Sequence, residues 1–223
     1  MSPGLDIPNG ISYVCSIQQK VYPTCLDMRN LPSSNPSSIG DVFTSLNASI
    51  RDRLSRITML LMDVDGVLTD GRVIMADNEV ESKAFSTRDG FGLVWVKRYG
   101  LLTGVISGRT SAATDQRCRD LKLNEIHLGK LKKLDVFESI ILHRNLEPKS
   151  VAYIGDDIID IPVMKRCGIS ACPMDAHDTV LKEVDIVLTK VGGHGAVRQF
   201  LDLWLMAAGQ WESSLKDVLD GNF

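Results

Sequence analysis

From Ile57 onward, short apolar runs alternate with longer amphipathic stretches, at intervals that suit βα units. Six runs read as strands: residues 58–62, 101–106, 125–128, 151–154, 169–171 and 186–188. Between them, residues 112–121, 134–144, 158–167 and 196–206 show the spacing of helices. Several strands are apolar throughout, Met59-Leu60-Leu61-Met62 among them, which is the pattern of strands covered on both faces of a parallel sheet. The expected fold is α/β, a Rossmann-like three-layer sandwich with a mostly parallel sheet and its ligand site at the C-terminal strand ends.

Two stretches depart from this alternation. Residues 71–76 and 79–85 flank Asp77-Asn78, a pair with the composition of a tight turn, so a β-hairpin is predicted to project straight after the first strand. Ahead of the sheet, Phe43, Leu46, Ile50 and Leu54 fall at helical spacing and predict one short lead-in helix. The first forty residues hold five of the eight prolines, include Leu31-Pro32-Ser33-Ser34-Asn35-Pro36-Ser37-Ser38, and sustain no period. They are expected to be a loosely ordered N-terminal arm, 1–40, leading into a single domain over 41–223.

With 44% hydrophobic and 24% charged residues in 223, the chain has the balance of a soluble globular protein. Net charge −3 leaves no broad basic field, which argues against nucleic acid as a partner. No apolar run approaches the roughly 18 residues a membrane span needs. Five cysteines, an odd number without a CxxC pair, fit neither a disulfide framework nor a zinc ribbon, and the first ten residues lack a secretory signal. A reducing, cytoplasmic setting is expected.

The chemistry concentrates at strand ends. The strand 58–62 delivers Asp63 and Asp65, two residues apart, and Gly66 permits a sharp turn after them. Taken alone, Asp-x-Asp equally describes a solvated turn or a calcium loop. Downstream, Ser107-Gly108-Arg109 ends a second buried strand with a hydroxyl and backbone amides suited to phosphoryl oxygens. Lys133, beside Lys130 and Lys132, opens the following helix, where a solvated face is the ordinary reading. Gly155-Asp156-Asp157-Ile158-Ile159-Asp160 then places acids after the fourth strand, and Asp160 alone would pass for a first-turn acid.

In this order, the four motifs resemble the haloacid dehalogenase superfamily of aspartate-nucleophile phosphohydrolases. Asp63 to Gly71, Phe85 to Gly92, Val151 to Asp160 and Gly192 to Arg198 are similar to the 3-deoxy-D-manno-octulosonate 8-phosphate phosphatase family. The resemblance implies a Mg²⁺-dependent phosphatase of lipopolysaccharide biosynthesis working through an aspartyl-phosphate. Asp63 is the implied nucleophile and Asp65 the acid and base. Asp63, the Asp65 carbonyl and Asp156 are the implied metal ligands, and Ser107, Gly108 and Lys133 hold phosphate. Asp157 and Asp160 are expected to orient Lys133 or metal-bound water, a bystander role being open for Asp157.

The resemblance further implies a small phosphorylated sugar acid as substrate, in a pocket lined by Asp65, Ser86, Thr87, Arg88, Asp89, Gly90, Arg109 and Arg117. Arg88 is the leading carboxylate partner, because a guanidinium matches a carboxylate bidentately; Arg117 equally reads as a surface residue. Val94 and His194 stand where relatives often carry a basic residue, so nonulosonate 9-phosphates stay open as alternative substrates. A non-catalytic assembly domain of the same fold and a phospho-accepting receiver domain are competing readings. The retained acids argue against the first, and the Ser107–Lys133 order against the second.

Neither interval between the motifs has room for a cap domain. A capless pocket needs another cover. The resemblance implies a homotetramer joined through its hairpins, whose apolar Val73, Met75, Val80 and Phe85 would otherwise face water.

Overall fold

Met-Leu-Leu-Met, with all four side chains buried, forms the central strand β1 (Met59–Met62). The structure, a computed structural model, describes residues 38–76 and 81–222. After β1 come β2 (Ile74–Met75), β3 (Glu81–Ser82), β4 (Leu102–Ile106), β5 (Glu125–His127), β6 (Val151–Ile154), β7 (Ile169–Cys172) and β8 (Ile186–Val187). Six of them make one sheet in the order β5-β4-β1-β6-β7-β8, with every pairing parallel. All six expected strands are present, within a residue at either end.

In chain order the helices are α1 (Ile39–Ser45), α2 (Ala48–Ser55), α3 (Thr87–Trp95), α4 (Ala112–Asp120), α5 (Lys133–His143), α6 (Ile161–Met164), α7 (Asp178–Glu183), α8 (Ala196–Ala207) and α9 (Trp211–Leu219). Side chains alternate across the sheet, so Leu60 and Met62 enter one core with α3 and α8, while Met59 and Leu61 enter the other with α5 and α6. The apolar run at residues 203–208 belongs to α8 and its C-terminal end; α8 packs against α3, α2, α1 and α9 and buries Leu203, Trp204 and Leu205. No helix among the described residues is long and apolar enough to cross a membrane.

The structure corrects three expectations. The lead-in segment is two helices, because the Asn47 side chain accepts the Ile50 amide at 2.8 Å and starts α2 afresh, with Leu46 buried at the break. The stretch 158–167 opens as a 3-10 turn over Ile158–Asp160, and α6 covers only four residues beyond it. In the hairpin, among the described residues, only Ile74↔Ser82 and Met75↔Glu81 pair. Its turn residues Asp77 and Asn78, and Val80, lie outside the described residues, as do 1–37 of the expected arm.

No cap domain interrupts the described chain. Only the hairpin, α3 and a 3-10 turn separate β1 from β4, and only α4 separates β4 from β5. Since β1 pairs with β4 on one side and β6 on the other, residues following these three strands emerge together at one edge, where the strand order reverses.

Candidate active site

Asp63 extends β1 by one rung, its amide donating to the Ile154 carbonyl at 2.9 Å. The chain then turns back sharply: the Val64 carbonyl accepts the amides of Val67, Leu68 and Thr69, with Gly66 at φ +85°. A Cβ on Gly66 would lie 2.0 Å from Asp156 Oδ2, so only glycine lets the loop after β6 approach this closely.

Lys133, at the start of α5, has its side chain buried to 1% exposure. Its ammonium lies 2.9 Å from Asp63 Oδ2 and 2.7 Å from Asp160 Oδ1. Burial disfavours its charge, but the two carboxylates outweigh burial and its pKa is raised. Asp160 is fully buried and saturated: Oδ1 also accepts the Tyr153 hydroxyl at 2.7 Å, and Oδ2 accepts the amides of Asp156 and Asp157 at 3.2 and 3.3 Å. It therefore anchors Lys133. Asp157 is exposed and its carboxylate takes the Ile158 amide at 2.7 Å, capping the turn that carries Asp160.

Asp63 and Asp156 remain undersatisfied. Oδ1 of each is buried without a hydrogen-bond partner, and carboxylate oxygens of Asp63, Asp156 and Asp160 lie within 4.8 Å of one another. Burial first, then Asp63 and Asp160, push the Asp156 pKa up to about 8; burial likewise raises that of Asp63, partly offset by Lys133. Two neighbouring carboxylates, each with a buried oxygen that lacks a partner, fit a hard divalent cation such as Mg²⁺. With Asp160 already saturated, Asp63 and Asp156 are the side chains available to hold it.

Ser107 closes β4. Its amide donates to the His127 carbonyl at 2.9 Å and its hydroxyl accepts the Arg109 amide at 3.3 Å, which fixes the loop through the partly buried Gly108. Asp65 faces a different set of charges. Its Oδ1 is held by the Lys83 ammonium, while Arg109 Nε stands 3.6 Å from Oδ2, which has no hydrogen-bond partner. Arg109 also reaches Glu81 at 3.1 Å.

The segment after the hairpin divides in two. The Ser86 hydroxyl caps α3 by accepting the Asp89 amide at 3.3 Å, and Thr87 and Arg88 are exposed on the first turn. Asp89, by contrast, is buried, and its carboxylate takes the amides of Arg198 at 2.7 Å and Gly195 at 3.2 Å, satisfying the start of α8. Arg117 is half-buried beneath α3: a Cβ on Gly90 would fall 2.2 Å from its guanidinium, and it lies 6.0 Å from the Phe85 ring. Its Nε has no hydrogen-bond partner. Val94 and His194 are both exposed.

Sequence reasoning missed Lys83, Glu81 and Tyr153. The alternation of a strand places Glu81 and Lys83 on one face, a signal that was present but named no partner. Tyr153 sits inside an apolar strand and shows no signal of its own.

Residues 120–201 match the family model of haloacid dehalogenase-like hydrolases. The 3-deoxy-D-manno-octulosonate 8-phosphate phosphatase of Escherichia coli K12 is 35% identical over 178 residues, 80% of this chain and 95% of that protein. A crystal structure of the Yersinia pestis phosphatase superposes with a TM-score of 0.73 at 35% identity, covering 74% of this chain and 89% of that one. The Moraxella catarrhalis phosphatase, solved with a magnesium ion, a phosphate ion and a KDO molecule, gives 0.74 at 32% identity, covering 76% and 97%. With the Asp63–Lys133–Asp160 array at the edge of a capless parallel sheet, and identity of this extent, the chain belongs to the 3-deoxy-D-manno-octulosonate 8-phosphate phosphatases of the haloacid dehalogenase-like hydrolases.

Proposed function

We propose that this protein is a magnesium-dependent phosphatase that hydrolyses 3-deoxy-D-manno-octulosonate 8-phosphate to the free sugar acid and inorganic phosphate. The observation that carries the reading is Lys133, buried between Asp63 and Asp160, beside two carboxylate oxygens that lack partners. Magnesium at Asp63 and Asp156, with the Asp65 carbonyl, supplies the positive charge that lets an anionic nucleophile approach a phosphate monoester.

The side chains then divide the work. A carboxylate oxygen of Asp63 attacks phosphorus, the ester P–O bond breaks, and the departing sugar oxygen takes a proton from Asp65. In the second half, water attacks the same phosphorus and gives its proton to Asp65. The bond between phosphorus and Asp63 breaks, leaving phosphate and the Asp63 carboxylate. Lys133, Ser107 and Gly108 steady the transferring oxygens, and Asp160 holds Lys133. Arg88, Arg109 and Arg117, with Ser86, Thr87 and Gly90, are proposed to receive the sugar acid; Asp89 is proposed to act through the α8 start that it anchors.

Coverage of the site comes from a second copy. Val73, Ile74 and Met75 on the hairpin are 43%, 55% and 57% exposed, and Leu131, Ile158 and Met174 stand exposed on loops that follow β5, β6 and β7. Packing hairpins about a symmetry axis would cover both sets, and a homotetramer is proposed. The thiols of Cys118 and Cys167, neither of them in a disulfide, suit a cytoplasmic protein.

The test is kcat/KM with magnesium for three substrates: the octulosonate 8-phosphate, a nonulosonate 9-phosphate and a hexose 6-phosphate. The octulosonate ester is expected to lead. A hexose phosphate preferred by about tenfold, the gap one pocket contact produces, would overturn sugar-acid recognition.

A further inference from the structure

Lys83 follows β3 in the hairpin, and Ser82 and Ala84 on either side of it are exposed. Its own side chain is 1% exposed. The ammonium contacts Asp65 Oδ1 and lies 3.3 Å from Glu81 Oε1, and Glu81 and Asp65 together also hold Arg109. Withdrawing an ammonium from water costs several kcal/mol unless it is closely paired, which sets this arrangement apart from an ordinary surface ion pair. The two oxygens of Asp65 differ: Oδ1 accepts from Lys83, while Oδ2 is buried with no hydrogen-bond partner and faces only the Arg109 guanidinium, at 3.6 Å.

We propose that Lys83 is a positioning residue for Asp65: it fixes one carboxylate oxygen and so presents the other to the phosphoryl ester. The inference rests on the reading of Asp65 as acid and base. In that reading a single oxygen first gives a proton to the departing sugar oxygen and later takes one from the attacking water. A carboxylate free to turn about its side-chain torsions would meet both demands less often. Lys83 also ties the hairpin to the chemistry, because its backbone belongs to the projecting ribbon and its ammonium to the site.

The test compares wild type with Lys83→Met and Lys83→Arg at saturating magnesium, with circular dichroism melting to verify folding. The probe is p-nitrophenyl phosphate in rapid mixing, since nitrophenolate departs without needing a proton. In Lys83→Met the first turnover of nitrophenolate should stay within about twofold of wild type, while steady turnover falls by about tenfold or more, part of the roughly 10²-fold or greater contribution of acid–base catalysis, since Asp65 itself is kept. Covalently phosphorylated protein should accumulate in mass spectra of acid-quenched samples. Lys83→Arg, which keeps a cationic donor, should recover most of the steady rate. If Lys83→Met does not fold, Lys83→Gln is carried through the same comparison. The proposal is overturned if first and steady turnovers fall by one factor without phosphorylated protein, if only KM rises, or if nothing changes. Failure of the phosphatase reading is a separate outcome, in which wild type itself releases no nitrophenolate.

Discussion

Lys133 is out of water with two carboxylates beside it, so its loss leaves Asp63 and Asp160 opposed across a buried space. Lys133→Ala should lower kcat by about 10²-fold or more and destabilise the fold by about 3–5 kcal/mol, read from phosphate release and urea unfolding. Asp63→Asn removes the nucleophile but keeps its shape. Turnover should fall by about 10⁴-fold or more while the melting temperature stays near wild type. The raised pKa of Asp156 predicts a pH effect. A fold that favours the neutral acid is most stable, as far as this group goes, below the unfolded pKa near 3.8, and loses that stability as pH rises through about 8. Magnesium needs the carboxylate, so the melting-temperature gain it gives should be larger at pH 8 than at pH 6, and binding should release protons in calorimetry run in two buffers. At this scale the sequence was legible wherever a residue closes a strand or opens a helix, as Asp63, Ser107, Lys133 and Asp156 do. Lys83, Glu81 and Tyr153 were not picked out: the strand alternation that puts Glu81 and Lys83 on one face names no partner, and Tyr153 is one more large side chain inside an apolar strand.

The start of α8 shows how one element finishes another. Gly195 precedes the helix with φ +99° and has no side chain to cap it, so Asp89 of α3 supplies the carboxylate across a sequence separation of 106. Asp89→Ala should leave those buried amides unpaired and cost about 1–3 kcal/mol, measured by urea unfolding, with a fall in activity that follows the loss of folded protein. Periodicity alone indicates that α8 is a helix. It does not say what ends or begins one, which is why the lead-in segment, with its apolar positions correctly spaced, proved to be two helices broken at Asn47. The four-residue α6 has a similar origin, since Asp157 and Asp160 cap a 3-10 turn in place of a full helical one.

At the scale of the molecule, alternating strands and helices were enough to indicate the parallel sheet. The order β5-β4-β1-β6-β7-β8 lies in the crossovers, which no local pattern encodes. The exposed hairpin makes a further prediction about assembly. Light scattering should give a mass near four chains, and Met75→Asp should lower mass and activity together; a fully active monomer would refute a shared site. Gly192 presses on the loop that follows the nucleophile so closely that a Cβ there would lie 1.9 Å from the Gly66 carbonyl oxygen. During synthesis, therefore, the nucleophile leaves the ribosome long before the segment that backs its loop. Nascent chains stalled ahead of residue 192 should hydrolyse nothing, and activity should appear only in released chains that carry α8 and are free to assemble, so that the hydrolytic power of this chain waits on a segment made long after its nucleophile.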